Sequence, residues 1–175
     1  LPVKKSDINN SIKKLEETKM SIFSNNLTKT NVSLNLAFWI IDIPLIYYPW
    51  GLETVAIRFK NSLQENAKIH AIAEDVVESS HNGIVAWERK TSIQPILIQG
   101  EDDNVRTKER WKIFEKYFLK NNINYKIIKS EKGDIITKLI NLIYVLDYSS
   151  IYLSILKEVD PSPVESIDFI KKELS

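Results

Sequence analysis

Glu65 and His81 have the side chains best suited to moving protons in this chain, and both stand where a fold of this pattern could aim them at a ligand. Glu65 lies near the end of a stretch in which Leu52, Val55, Ala56, Phe59, Leu63, Asn66 and Ala67 recur at steps of three and four residues. It therefore falls on the opposite side of the helical wheel, near Arg58 and Asn61. A carboxylate there is ordinarily one more solvated charge. With the last helical turn facing a cleft, it can serve as a general base. His81 sits in the polar run 79–83, which ends in the turn-favouring pair Asn82-Gly83. A loop histidine is ordinarily just exposed, yet the residue type suits proton transfer near neutral pH. His70 opens the apolar segment 69–73 and reads as a packed or surface residue.

Other constellations carry less. Asp102-Asp103 could suggest a cation site, but two adjacent acids more readily cap the helix that follows. The four glycines are not clustered, so no glycine-rich phosphate cradle is present. Trp50, Trp87 and Trp111 are too scattered for base stacking and read as core or interface residues. The 175 residues contain no cysteine, which excludes disulfides, thiolate metal sites and a cysteine nucleophile. Two histidines make a multi-histidine metal site a poor expectation. With 24 basic and 23 acidic residues the net charge is +1, and no electrostatic footprint for nucleic acid or an anionic membrane is expected. An anionic substrate must then be held by a local site.

The elements that position these residues alternate. A helix capped by Ser6 or Asp7 is expected to run to about residue 24, with Ile8, Ile12, Leu15 and Ile22 as its apolar positions. Residues 34–41 are too apolar for a surface element. Strands are expected at 43–48, 94–99 and 124–129, and helices at 52–67, 105–119, 135–156 (as one or two pieces) and 164–174. Asp42 and Pro44 interrupt the longest apolar run, 34–48, so no segment is expected to span a membrane. No signal-peptide pattern opens the chain, and a soluble, cytoplasmic protein is expected. The start Leu1-Pro2-Val3, without methionine, is what a chain entered midway or a processed terminus would show. Short strands between longer helices point to an α/β fold, a three-layer sandwich with a mainly parallel sheet flanked by helices. In such folds ligands bind at the carboxyl ends of strands, which directs attention after residue 48, around 75–83 and after residue 100.

Four stretches, in order, resemble one family. Ala56-Ile57-Arg58-Phe59-Lys60 with Gln64-Glu65-Asn66-Ala67-Lys68 resembles its A-x-R-x-K…N-E-N-A-K helix. Glu78-Ser79-Ser80-His81-Asn82-Gly83-Ile84-Val85-Ala86-Trp87 resembles its E-L-x-H-N-x-I-x-G-W loop and strand. Asp160-Pro161-Ser162-Pro163-Val164, with Ile167 and Lys171, resembles its D-P-T-P-V-x-x-I…K ending, and the 43–48 strand resembles its I-P-x-I-Y. The family is the archaeal-type bifunctional phosphoglucose/phosphomannose isomerases, built from two sugar-isomerase (SIS) domains of flavodoxin-like fold. The match, from about residue 34 to 171, is to the second SIS domain. The resemblance implies a linker helix over 1–30, a C-terminal SIS domain over 31–175, and an N-terminal SIS partner that holds the phosphate.

It further implies interconversion of glucose 6-phosphate or mannose 6-phosphate with fructose 6-phosphate through a cis-enediol, with no metal and no cofactor. Glu65 matches the base that shuttles the proton between C1 and C2. His81 matches the ring-opening histidine supplied by the partner subunit of a homodimer. Lys171, or Lys172 in an off-by-one alignment, matches the C-terminal lysine at the sugar. Ser162, Arg58 and Asn82 are the implied substrate-binding residues. Gln64, Val77, Ser79-Ser80 and Gly83 depart from the family pattern, which touches loop shape and substrate preference more than reaction type. A non-catalytic SIS module that binds a sugar phosphate for regulation is the competing reading, and the retained acid, histidine and lysine weigh against it.

Overall fold

The two central strands are apolar on both faces, and this decides the layering. In the computed structural model, which describes residues 3–174, β1 (Ile43–Tyr48) and β3 (Ile93–Gln99) pair in parallel, with Ile46 opposite Ile96 and Tyr47 opposite Leu97. β2 (Ile72–Asp75) adds to β1 and β4 (Lys126–Lys129) to β3, both parallel, giving the order β2-β1-β3-β4. Ile46, Ile96, Ile98 and Ile128 face one side, and Leu45, Tyr47 and Leu97 the other, as the two-residue period of a strand requires. Leu1 and Pro2, where the expected linker begins, and Ser175 lie outside the described residues.

The first face is covered by α2 (Val32–Trp39), α3 (Glu53–Asn66) and α6 (Ile135–Leu156). Val55, Ala56, Phe59 and Leu63 of α3 are fully buried there, each contributing on the order of 1.5–3 kcal/mol for the larger side chains. α6 is one helix of 22 residues, long and apolar enough by composition to cross a membrane, contrary to expectation. Its apolarity has a packing cause, because α6 lies among α1 (Lys5–Ile22), α2 and α3. The second face carries the short α4 (Val76–Ser79), a 3-10 helix (Gly83–Glu88) and α5 (Val105–Lys120). An aromatic cluster fills it: Tyr47 meets Phe114 at 5.3 Å between ring centres, and Trp87 meets Phe118 at 5.3 Å, both edge-on. The three layers are those expected. The last helix, α7 (Glu165–Leu174), has no buried residue.

Four details differ from the sequence expectations. β2 was not foreseen. Residues 83–88 form a 3-10 helix and not the strand implied by the resemblance. α1 starts at Lys5, and Asp7 serves from its third position by accepting the Lys4 N–H at 3.2 Å. The α1 face that is buried is Ser11, Thr18 and Ile22, while Ile8 and Ile12 are exposed. The reason is the surface α6 offers. Ser11 hydrogen-bonds Thr137 at 3.0 Å, and Asn141 donates to Thr18 at 2.6 Å.

Candidate functional site

α3 leaves the carboxyl end of β1 and must return to start the parallel β2, so its last turn is level with the amino ends of the strands. Glu65 is on that turn, exposed. α6 likewise descends from the carboxyl end of β4, which brings residues 157–163 to the same level. The two meet in a groove of about 530 Å³, with Asn61, Gln64, Glu65 and Lys68 on one wall and Pro163, Val164, Ser166 and Ile167 on the other. That volume is in the range of small-ligand sites. Lys171 follows Ile167 by one turn of α7, on the same helix face, and is exposed. The structure thus gathers Glu65, the 160–163 strap and the root of the Lys171 helix.

The strap is pinned by local chemistry. Asp160 accepts the Ser162 N–H at 2.9 Å, and the Ser162 side chain is exposed. The Lys68 ammonium donates to the carbonyls of Glu65 at 2.6 Å, Pro163 at 2.6 Å and Pro161 at 3.4 Å. Lys68 was part of a sequence motif without a role; a cation just past a helix end is the signal that could have found it. Arg58 turns elsewhere. Its guanidinium binds Asp147 of α6 through Nε at 3.2 Å and Nη2 at 2.9 Å, and Ser62 Oγ donates to the same carboxylate at 2.7 Å.

His81 and Asn82 lie at the opposite end. They follow the carboxyl end of β2 by six and seven residues, whereas α3, about 20 Å long for its 14 residues, carries Glu65 away from that end. Within one chain the two do not meet. The His81 loop is nonetheless firmly held. Asp75 caps α4 by accepting the Val77 and Glu78 N–H groups, Glu78 accepts Asn82 Nδ2 at 2.9 Å, and Trp87 is buried with its Nε1 donating to Tyr47 Oη at 2.8 Å. Burial pushes the Tyr47 phenol well above its ordinary pKa, so it stays neutral as a hydrogen-bonding group. Two departures from the family pattern, Ser79 and Gly83, are neighbours here. Ser79 Oγ donates to Glu74 at 2.8 Å, and a Cβ at position 83 would come within 2.8 Å of that carboxylate and 3.3 Å of Ser79.

The crevice at the carboxyl ends of β1 and β3, where folds of this strand order commonly bind ligands, is lined by acids already engaged by neighbouring groups. Asp103 accepts the Gly100 N–H at 2.9 Å and Trp111 Nε1 at 3.0 Å, and Asp102 pairs with Lys138 at 3.0 Å. These acids do not cap α5 as expected; Asn104 does, accepting the Thr107 N–H at 2.9 Å. Trp50 stands beside the crevice, 93% exposed, while Trp87 and Trp111 are in the core. His70 is exposed. Among the described residues no three His, Asp or Glu side chains gather as a metal site.

Comparison with known proteins agrees with this architecture. Solved structures of the same fold include a glucose-6-phosphate isomerase like protein from Thermus thermophilus, with TM-score 0.73 and 13% identity, covering 90% of this chain and 52% of that one. A putative sugar-phosphate isomerase from Listeria monocytogenes matches at TM-score 0.60 and 10% identity, over 96% and 98% of the two chains. Among curated relatives, the bifunctional phosphoglucose/phosphomannose isomerase of Caldicellulosiruptor bescii is 32% identical over 148 residues, 81% of this chain and 43% of that protein. The protein of the same name from Aquifex aeolicus is 29% identical over 135 residues, 75% of this chain and 42% of its own length. The chain thus spans less than half the length of these relatives. A family model described as the bacterial phospho-glucose isomerase C-terminal SIS domain matches residues 29–174, and the chain belongs to that family.

Proposed function

We propose that this chain supplies the carbon-acid base of an aldose–ketose isomerase that interconverts glucose 6-phosphate or mannose 6-phosphate with fructose 6-phosphate. The observation that carries the reading is the groove in which Glu65 faces the root of the helix bearing Lys171. Membership of the family and the names of the relatives support the substrate class.

In this reading the Glu65 carboxylate takes the C2 proton of the open-chain aldose and returns it to C1, while a hydroxyl proton passes between O1 and O2. Substrate and product are isomers, so no co-reactant is consumed. The Lys171 ammonium stabilises charge on the cis-enediolate oxygen. His81, contributed by a second subunit of a homodimer, opens the sugar ring, and Ser162 and Asn82 bind sugar hydroxyls. Phosphate is gripped by an N-terminal SIS domain, as the resemblance implies for relatives of which this chain spans less than half the length.

Glu65→Gln in the full polypeptide, N-terminal SIS domain included, tests the assignment, since it keeps the side-chain shape and removes the base. Turnover of fructose 6-phosphate is expected to fall by about 10²–10⁴-fold, with its calorimetric affinity retained. Unchanged turnover would remove Glu65 from the mechanism. Tight sugar-phosphate binding by a wild-type protein without turnover would favour the regulatory SIS module instead.

A further inference from the structure

Lys68 combines two features that a solvent-exposed lysine does not need. Its backbone has φ +55, the left-handed conformation in which helices commonly end and which glycine adopts without penalty. A side chain with a Cβ is disfavoured there, so keeping one calls for a reason. The second feature supplies it. An ammonium has three N–H donors, and the three acceptors of Lys68 are backbone carbonyls from two separate segments. Glu65 O belongs to the last turn of α3, whose carbonyls lack helical partners. Pro161 O and Pro163 O belong to the strap, and neither proline has an N–H with which to make a competing link. The strap leads directly into α7, which buries none of its residues against the body.

We propose that Lys68 is a positioning residue whose ammonium clamps the end of the Glu65 helix to the Pro161–Pro163 strap, and so fixes the groove between Glu65 and the root of the Lys171 helix. Its catalytic consequence rests on the isomerase reading above; the clamp itself does not. Loosening it leaves both catalytic side chains intact but lets the base and the cation drift apart. Positioning errors of this kind act on the chemical step more than on binding.

These 175 residues contain no cysteine, so Asn61→Cys and Ser166→Cys, on the two walls of the groove, can be spin-labelled once any cysteine elsewhere in the full polypeptide is replaced by serine. Distances between the labels are measured in the full polypeptide for Lys68 and for Lys68→Arg and Lys68→Gly. Glycine suits the left-handed backbone, so Lys68→Gly is expected to melt no lower than the parent while losing the clamp. Lys68→Asn, also tolerant of that backbone, serves if the glycine variant does not fold. The label distribution is expected to widen by roughly twofold in Lys68→Gly and to stay narrow in Lys68→Arg, which keeps a multi-donor cation. Without the cysteines, kcat of Lys68→Gly is expected to fall by about 10–100-fold with KM within about threefold, and Lys68→Arg to recover most of the loss. Unaltered label distances in Lys68→Gly, or equal widening in Lys68→Arg, overturn the clamp. Label distances that change as expected in a protein whose wild type shows no isomerase turnover overturn the isomerase reading and leave the clamp standing.

Discussion

Arg58 shows how a single side chain can match a motif and still be engaged in structure. Its guanidinium makes a two-pronged bond to Asp147, which Ser62 also engages, and this tie joins α3 to α6 behind the groove wall. Donating to the Asp147 carboxylate raises the Arg58 pKa further, so the cation persists at every accessible pH. The Arg58 side chain is 57% exposed and that of Asp147 28% exposed, so solvent screens the pair. A double-mutant cycle with Arg58→Met and Asp147→Asn is expected to return a coupling of about 0.5–1 kcal/mol in thermal or urea unfolding. Arg58→Met is expected to leave KM for fructose 6-phosphate within about twofold. A tenfold or greater rise in KM with no coupling to Asp147 would put Arg58 on the substrate instead.

At the scale of elements, α6 carries the first face of the sheet, and its start is set by one carboxylate. Asp134 accepts the Thr137 N–H at 2.9 Å and the Thr137 hydroxyl at 2.7 Å. Burial pushes the Asp134 carboxyl up, but these bonds outweigh it and hold the carboxyl below its ordinary 3.8. Because the folded pKa is the lower one, the contribution is complete above 3.8 and fades as pH falls through the folded value. Asp134→Ala is expected to cost about 1 kcal/mol, some 2–4 °C of melting temperature, at pH 6. The gap to wild type should narrow in acid, and one that stays constant down to pH 2.5 or below would sink the assignment. Much of this layer was legible in sequence. Residues 43–48, 93–99 and 53–66 are strongly patterned because they bury one face or two. β2 was not legible: Ile72-Ala73-Glu74-Asp75 is a half-polar edge that becomes a strand by pairing with β1. The α1 seam failed for the converse reason. Its partner surface on α6 is Thr137 and Asn141, so Ser11 and Thr18 are buried beside Ile22, and Ile8 and Ile12 are not. Glu65 and His81 could be named from their motifs, but the Lys68 clamp joins residues 93 and 95 positions apart, and no local pattern announces that.

At the scale of the molecule, the decisive fact is that the groove beside Glu65 and the loop of His81 lie at opposite ends of one sheet. Both are held by rigid elements, α3 on one side and the Trp87 anchor on the other, so bending the chain does not unite them. A site that needs both must take them from two copies. In a two-fold dimer each copy gives its Glu65 to one site and its His81 to the other. α7 is suited to such an assembly, since Ile167, Ile170 and Leu174 form an exposed apolar stripe beside Lys171. The consequence is measurable by complementation. On the isomerase reading, Glu65→Gln and His81→Asn homodimers should each be nearly inactive. When the two are mixed equally, unfolded and refolded together, half the dimers are expected to be mixed, and each mixed dimer has one site with both residues intact. Activity should then recover to about a quarter of the wild-type value. Sites built within single chains give no recovery at all, because every site in the mixture would still lack one group. Recovery must also require subunit exchange, so simple mixing of the folded homodimers should restore activity only as fast as the dimers dissociate.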